Sequence, residues 1–249
     1  MRLPPRPRER IELLAYVRAI PLLIMNPVLL LGPLLVGIID QIISRIFTGS
    51  TDSFLGIASL LVFLLDTVGL AVSIIVADMI WRHGKASFDE AWDDTRRKIG
   101  DLLLAAIGLN FVLSIAFYAG SIITDALADI CAIVACAIVP MSNPLSSADA
   151  LADICACVFL IYTVAAAAIS GIPGSAALQR SIDLVRAAPI NAVILTIVTI
   201  VSYRFLSEYP LLALPNYGTT SLVIQAACKA IALGYVALIM AQRYNDLSP

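Results

Sequence analysis

Long apolar runs alternate with short polar connectors along almost the whole chain. Six such runs lie at about 22–46, 54–80, 101–123, 150–172, 188–207 and 220–242. Each holds roughly 20 or more mostly apolar residues, enough for a helix to cross a ~30 Å hydrocarbon core. Within a bilayer the backbone must satisfy its own hydrogen bonds, and a helix does so inside one segment. The pattern therefore predicts an all-α fold: a polytopic membrane helix bundle of six transmembrane helices, one membrane domain over 1–249. A shorter run at 125–139 predicts an outer short helix or re-entrant segment, too short to cross.

The polar connectors before spans one, three and five have helical periodicity of their own. Phe88, Ala91, Trp92, Thr95 and Ile99 recur on one face. Ser87 followed by Glu90 predicts a capping box at the start of that helix. Asp89 and Glu90 suit its positive end, and Arg96, Arg97 and Lys98 its negative end. Leu178, Ile182 and Val185 form a similar stripe, and Ile11, Leu14 and Ala15 a weaker one. These segments predict amphipathic helices lying in the membrane interface. They also share residues: Val17, Arg18, Ala19 and Pro21 match Val185, Arg186, Ala187 and Pro189, with Arg97 and Gly100 between them. Three units follow, each an interfacial helix and then a hairpin of two spans.

Charge orients the bundle. The chain has 16 Lys and Arg against 18 Asp and Glu, a formal charge of −2 that says little. Their placement says more. Arg2, Arg6, Arg8, Arg10 and Arg18 precede span one. Arg82, Lys85, Arg96, Arg97 and Lys98 separate spans two and three, Arg180 and Arg186 separate spans four and five, and Arg243 follows span six. Arg45 and Arg204 fall on the other side, and Lys229 within a span. The positive-inside rule then predicts that both termini are cytoplasmic. The first apolar run is too long for a cleavable signal and lacks a small-residue cleavage site. With 60% hydrophobic and 14% charged residues, against about 25% charged in ordinary soluble domains, the composition agrees.

Candidate chemistry is sparse. Asp66 and Lys229 fall near the middle of spans two and six, at matching depth, where an ionisable group costs ~2.5–3.5 kcal/mol and finds a partner. They are expected to pair, with Asn110 of span three within reach of the pair. Asp78 is expected to meet Arg82 one helical turn on. Arg18, Trp92, Arg96, Arg97, Lys98 and Arg186 are the expected contacts to lipid headgroups at the interface. The octapeptide DALADICA occurs twice, at 125–132 and 149–156. In helices, Asp125 with Asp129 and Asp149 with Asp153 would share a face and suit a hard cation. The cysteines of the same motif do not suit that metal, so the repeat is read as a local duplication and no metal site is expected. A single histidine, His83, excludes a multi-histidine centre. Five cysteines, an odd number in apolar surroundings, are expected to be free thiols. The GIPGS stretch at 171–175 lacks the Walker pattern and its lysine, so it marks a helix stop and restart.

The chain resembles a loosely related group of prokaryotic six-span membrane families, among them the membrane domain associated with glycerophosphodiester phosphodiesterases. The resemblance lies in Arg18 with Asn26–Pro27, in Ser87–Phe88 with Ala91–Trp92, and in Ser181 with Val185–Arg186. It implies a six-span layout and no shared activity. The phosphodiesterase domain is absent, and the segment at 125–149 departs from the simple pattern.

These observations lead to an expected function: a non-enzymatic integral membrane protein, a structural or accessory subunit of a membrane complex. The alternative is a transporter or permease for an ion, lipid or small amphiphile, using the midplane Asp66/Lys229 pair. No cofactor is expected. The expected partners are membrane lipid and other membrane subunits. Basic residues are clustered for orientation, so no nucleic-acid partner is expected.

Overall fold

The computed structural model describes residues 13–46, 52–115, 157–203 and 218–248, and all of its regular structure there is helical. The helices are α1 (Leu13–Met25), α2 (Val28–Ile46), α3 (Asp52–His83), α4 (Phe88–Arg97) and α5 (Ile99–Ile115). They are followed by α6 (Thr163–Ser170), α7 (Gly174–Ala187), α8 (Pro189–Tyr203) and α9 (Gly218–Leu247). The predicted outer helix at 125–139 and both copies of DALADICA lie outside the described residues, as do Asp125, Asp129, Asp149 and Asp153.

Two helices are long and apolar enough to cross a membrane unaided, over Leu60–His83 and Val223–Leu247. Three more spans arise if each bent pair counts as one: α1 with α2 at 79°, α4 with α5 at 71°, and α7 with α8 at 113°. In the fourth predicted span a shorter apolar helix covers Cys157–Ser170. The bundle thus has two clear spans and up to five with the bent pairs.

The bent pairs fall where the three sequence units begin, but not in the predicted register. Matching Arg18 to Arg186 would place the first bend near Pro21. Pro21 instead lies inside α1, and the chain turns at Asn26–Pro27. A residue before proline is pushed out of the helical region. Asn26 also seals the helix end, its Nδ2 and its backbone N–H both donating to the Leu22 carbonyl, at 2.9 and 3.1 Å. Span one therefore does not run unbroken from 22; its straight part starts at Val28. Aligned on Asn26, Lys98 and Ala188, the three units agree in packing. Seven residues before each bend stands a small residue with no exposed surface: Ala19, Ala91 and Ser181. Three residues before each bend Leu23, Thr95 and Val185 also turn inward. The earlier match fails this test, since Val17 is 66% exposed where Val185 is 3%.

Sequence dictates the other ends locally. α3 stops at Gly84, whose φ of 73° favours glycine and whose N–H returns to the Ile80 carbonyl at 2.8 Å. α6 stops at Gly171, φ 61°, with the Ile172 N–H reaching back to Ala166. Ser87 is the N-cap of α4, but its side chain makes no capping hydrogen bond, so the predicted capping box does not form. α4 gains its stability from packing instead: Ala91 and Thr95 are buried, and Phe88 stacks on Trp92 with centroids 6.4 Å apart.

The core is a three-helix unit in which α2, α3 and α9 each pack on the other two. Small residues set the spacing. A Cβ on Gly69 would stand 2.9 Å from Val36 Cγ2, and one on Gly37 3.4 Å from Ala226. Such close approach of backbones is the usual basis of helix association in lipid, where burial of apolar surface drives little. α2 runs antiparallel to both partners: Gly37 faces Ala226 while Gly234 faces Leu30, and the Ser73 hydroxyl donates to the Leu29 carbonyl at 2.8 Å. α1, α6 and α8 pack on α9, and α4 and α6 on α3.

Candidate functional site

One ionic cluster lies inside the three-helix core. Lys229 of α9 is 9% exposed at its side chain and donates to Asp40 Oδ2 of α2 at 2.8 Å. The same ammonium donates to Asp66 Oδ2 of α3 at 2.8 Å. Asp66 Oδ1 is equally near, 2.8 Å, as an ion contact without hydrogen-bond geometry. The predicted Asp66–Lys229 pair is therefore a triad, and Asp40 was missed. Its signal was available: an acidic residue in the run VLLLGPLLVGIIDQII, thirteen residues into an apolar helix.

The packing explains why these three groups meet. Gly37, Gly69 and Ala226 each lie one turn from one member of the triad, so the backbones come close just beside it. Because α2 and α9 run in opposite directions, Asp40 and Lys229 diverge in level from the Gly37–Ala226 contact. The long lysine stem covers that offset, as snorkelling lysines do. Asp40 and Asp66 are 16% and 28% exposed at their side chains. Asn110 stands half-buried on α5 and makes no hydrogen bond to any member of the triad.

A second polar cluster joins α3 to α9 about 18 Å further along, twelve residues at 1.5 Å each. Asp78 Oδ1 accepts from Arg82 Nε at 2.8 Å, as expected, and also from Asn245 Nδ2 at 2.6 Å. Arg82 closes the ring to Asn245 Oδ1 at 3.5 Å. A cleft of about 500 Å³ opens beside it, lined by Trp81, Arg82, Gln242 and Asn245 among others. Arg243 is 3% exposed and lies over the Tyr16 ring, 5.5 Å from its centroid. Position alone counted it among the charges that orient the bundle; its contacts make it part of the packing.

Of the expected interfacial residues, Arg18, Trp92, Arg96, Arg97 and Arg186 are exposed. Lys98 is not available in the same way. Its ammonium donates to Asp94 Oδ2 at 2.8 Å and to the Ala168 carbonyl at 2.9 Å, with Ile169 at 3.4 Å. It satisfies the last carbonyls of α6, where a positive charge also suits the helix dipole. Ser181 repairs another irregularity: α6 is preceded by a turn at 161–162, and the Ser181 hydroxyl donates to Phe159 O at 2.8 Å while accepting from Tyr162 N at 3.1 Å. A second, apolar cleft of about 560 Å³ lies between α5 and the start of α7, lined by Leu104, Ile107, Phe111 and Leu178 among others. Neither cleft is lined by a member of the triad.

Among the described residues no three His, Cys, Asp or Glu side chains gather as metal ligands. Neither Cys157 nor Cys228 is in a disulfide, and the remaining cysteines lie outside the described residues. Comparison with known proteins adds no relative: no family model, curated protein or solved structure matches this chain.

Proposed function

We propose that this chain is a non-enzymatic integral membrane protein of a prokaryotic inner membrane, a structural or accessory subunit of a membrane complex. In this reading it has six spans, Cys157–Ser170 being part of the fourth, and both termini are cytoplasmic. The observation that carries it is the closed ionic contact at the centre of α2, α3 and α9. A lysine held at 2.8 Å by carboxylates of two other helices clamps a core. Long apolar faces are left outside: Leu104, Ile107 and Phe111 on α5, and Ile190, Val193, Ile197 and Val201 on α8. Such faces suit lipid or neighbouring helices equally well.

Native mass spectrometry of the protein gently extracted from its own membrane tests this reading. A stoichiometric protein partner supports it. A chain that always flies alone, or with only a small molecule, sinks it. The second reading, a transporter or permease, draws on the same triad, because charged groups near the bilayer midplane are where transported ions and their couplings reside. Uptake of labelled ions or lipids into proteoliposomes, abolished by Lys229→Ala, would favour it.

A further inference from the structure

A clamp needs one carboxylate for one ammonium. The core places two carboxylates on the same lysine, from different helices, each at 2.8 Å. Burial of each added ion costs several kcal/mol even after relaxation. The second acid is therefore a costly feature that a merely structural pair does not need. We propose that Asp66 is a proton-binding site, taking up a proton at its carboxylate and leaving Lys229 to Asp40.

The two acids are not equivalent. Among the described residues, the polar contacts of the Asp66 carboxylate are all to Lys229. Its Oδ1 is buried and lacks a donor with hydrogen-bond geometry. Asp66 is also the less buried of the two, 28% exposed against 16%. On protonation the O–H proton sits on one Asp66 oxygen, and the Lys229 ammonium keeps its charge and its bond to Asp40. A bare metal cation fits less well. Hard cations collect six or more oxygen ligands, and here an ammonium already occupies the space between the carboxylates.

The nearest ionisable groups in sequence are Cys228, beside Lys229 on α9, and Arg45, five residues from Asp40 on α2. α6 has none, and α8 has only Tyr203, at its end. α1 brings Tyr16 and Arg18 to the other half of α9, where Tyr16 meets Arg243. α4 carries its charges beside the bends, with Asp94 engaged by Lys98. On α3 and α9 themselves Asp78, Arg82, Arg243 and Asp246 are three turns or more from the triad.

The test is acid-minus-alkaline infrared difference spectroscopy on the full chain in lipid nanodiscs. The expected result is one component of the protonated-carboxyl C=O region, shifted in deuterated water, that Asp66→Asn removes and Asp78→Asn keeps. A second measurement needs no variant. A hydrophobic carbodiimide adds to carboxylic acids in their protonated form, and peptide mass spectrometry locates the adduct. The expected adduct is on Asp66, increasing several-fold as pH falls. A spectrum unchanged by Asp66→Asn, an adduct on Asp40 in place of Asp66, or no adduct on Asp66 at any pH overturns the proposal. These readouts do not depend on a protein partner, so the subunit reading and the proton site can fail separately.

Discussion

The Asp40–Lys229–Asp66 triad and the Asp78–Arg82–Asn245 ring both tie α3 to α9 through a carboxylate, the triad holding α2 as well, yet they differ in environment. In the triad the cation is 9% exposed; in the ring the Arg82 side chain is 55% exposed. A buried charge that loses its partner keeps the whole desolvation cost, whereas an exposed one recovers its hydration. The two clusters should therefore respond to substitution on very different scales.

The largest effect is expected from Lys229→Ala, which takes the shared ammonium away from two carboxylates in the core. Loss of about 3–5 kcal/mol is expected, measured by reversible unfolding in mixed detergent or bicelles. Removing the acids as well, with Asp40→Asn and Asp66→Asn in the same chain, should recover part of it. No recovery would mean that the three groups do not act as a unit.

Next comes the packing beside the triad. Gly69→Ala drives a methyl to 2.9 Å from the branched, buried Val36 and should cost about 1–3 kcal/mol, as overpacking does. A neutral result in the same unfolding assay would show that α2 and α3 are less closely held than their contact implies. Lys98→Met keeps the apolar stem and removes the donors at the end of α6. About 1–2 kcal/mol should be lost through carbonyls left without that partner. The effect should disappear if α6 is first destabilised by replacing Ser181.

The smallest effect is expected from Arg82→Ala, under about 1 kcal/mol and shrinking further as salt is raised. An effect as large and as salt-independent as that of Lys229→Ala would erase the distinction between the clusters. Asp78 would then have to be counted with the buried core.

Much of the site was legible because the membrane punishes charge. An Asp and a Lys at matching depth in apolar runs could be paired without coordinates, and Asp78 with Arg82 followed from helical spacing. Asp40 escaped because matching it requires knowing that α2 lies against both α3 and α9, which periodicity does not reveal. Lys98 was misplaced for a related reason. Its neighbours in sequence are exposed arginines, but its neighbour in space is the end of α6, some 70 residues away. The bends were anticipated in number and misplaced in register, because the four matching residues Val17, Arg18, Ala19 and Pro21 outweighed the restriction that Pro27 imposes on Asn26.

Apolar length and composition, acting residue by residue, determined that this chain is helical and has segments long enough to cross a membrane. Local backbone rules determined where helices stop, at Gly84, Gly171 and Asn26–Pro27. The tertiary structure alone decided which charged groups share a partner, because that depends on which helix faces touch. Those faces are chosen by small residues such as Gly37, Gly69 and Ala226, whose meaning appears only when another backbone stands against them.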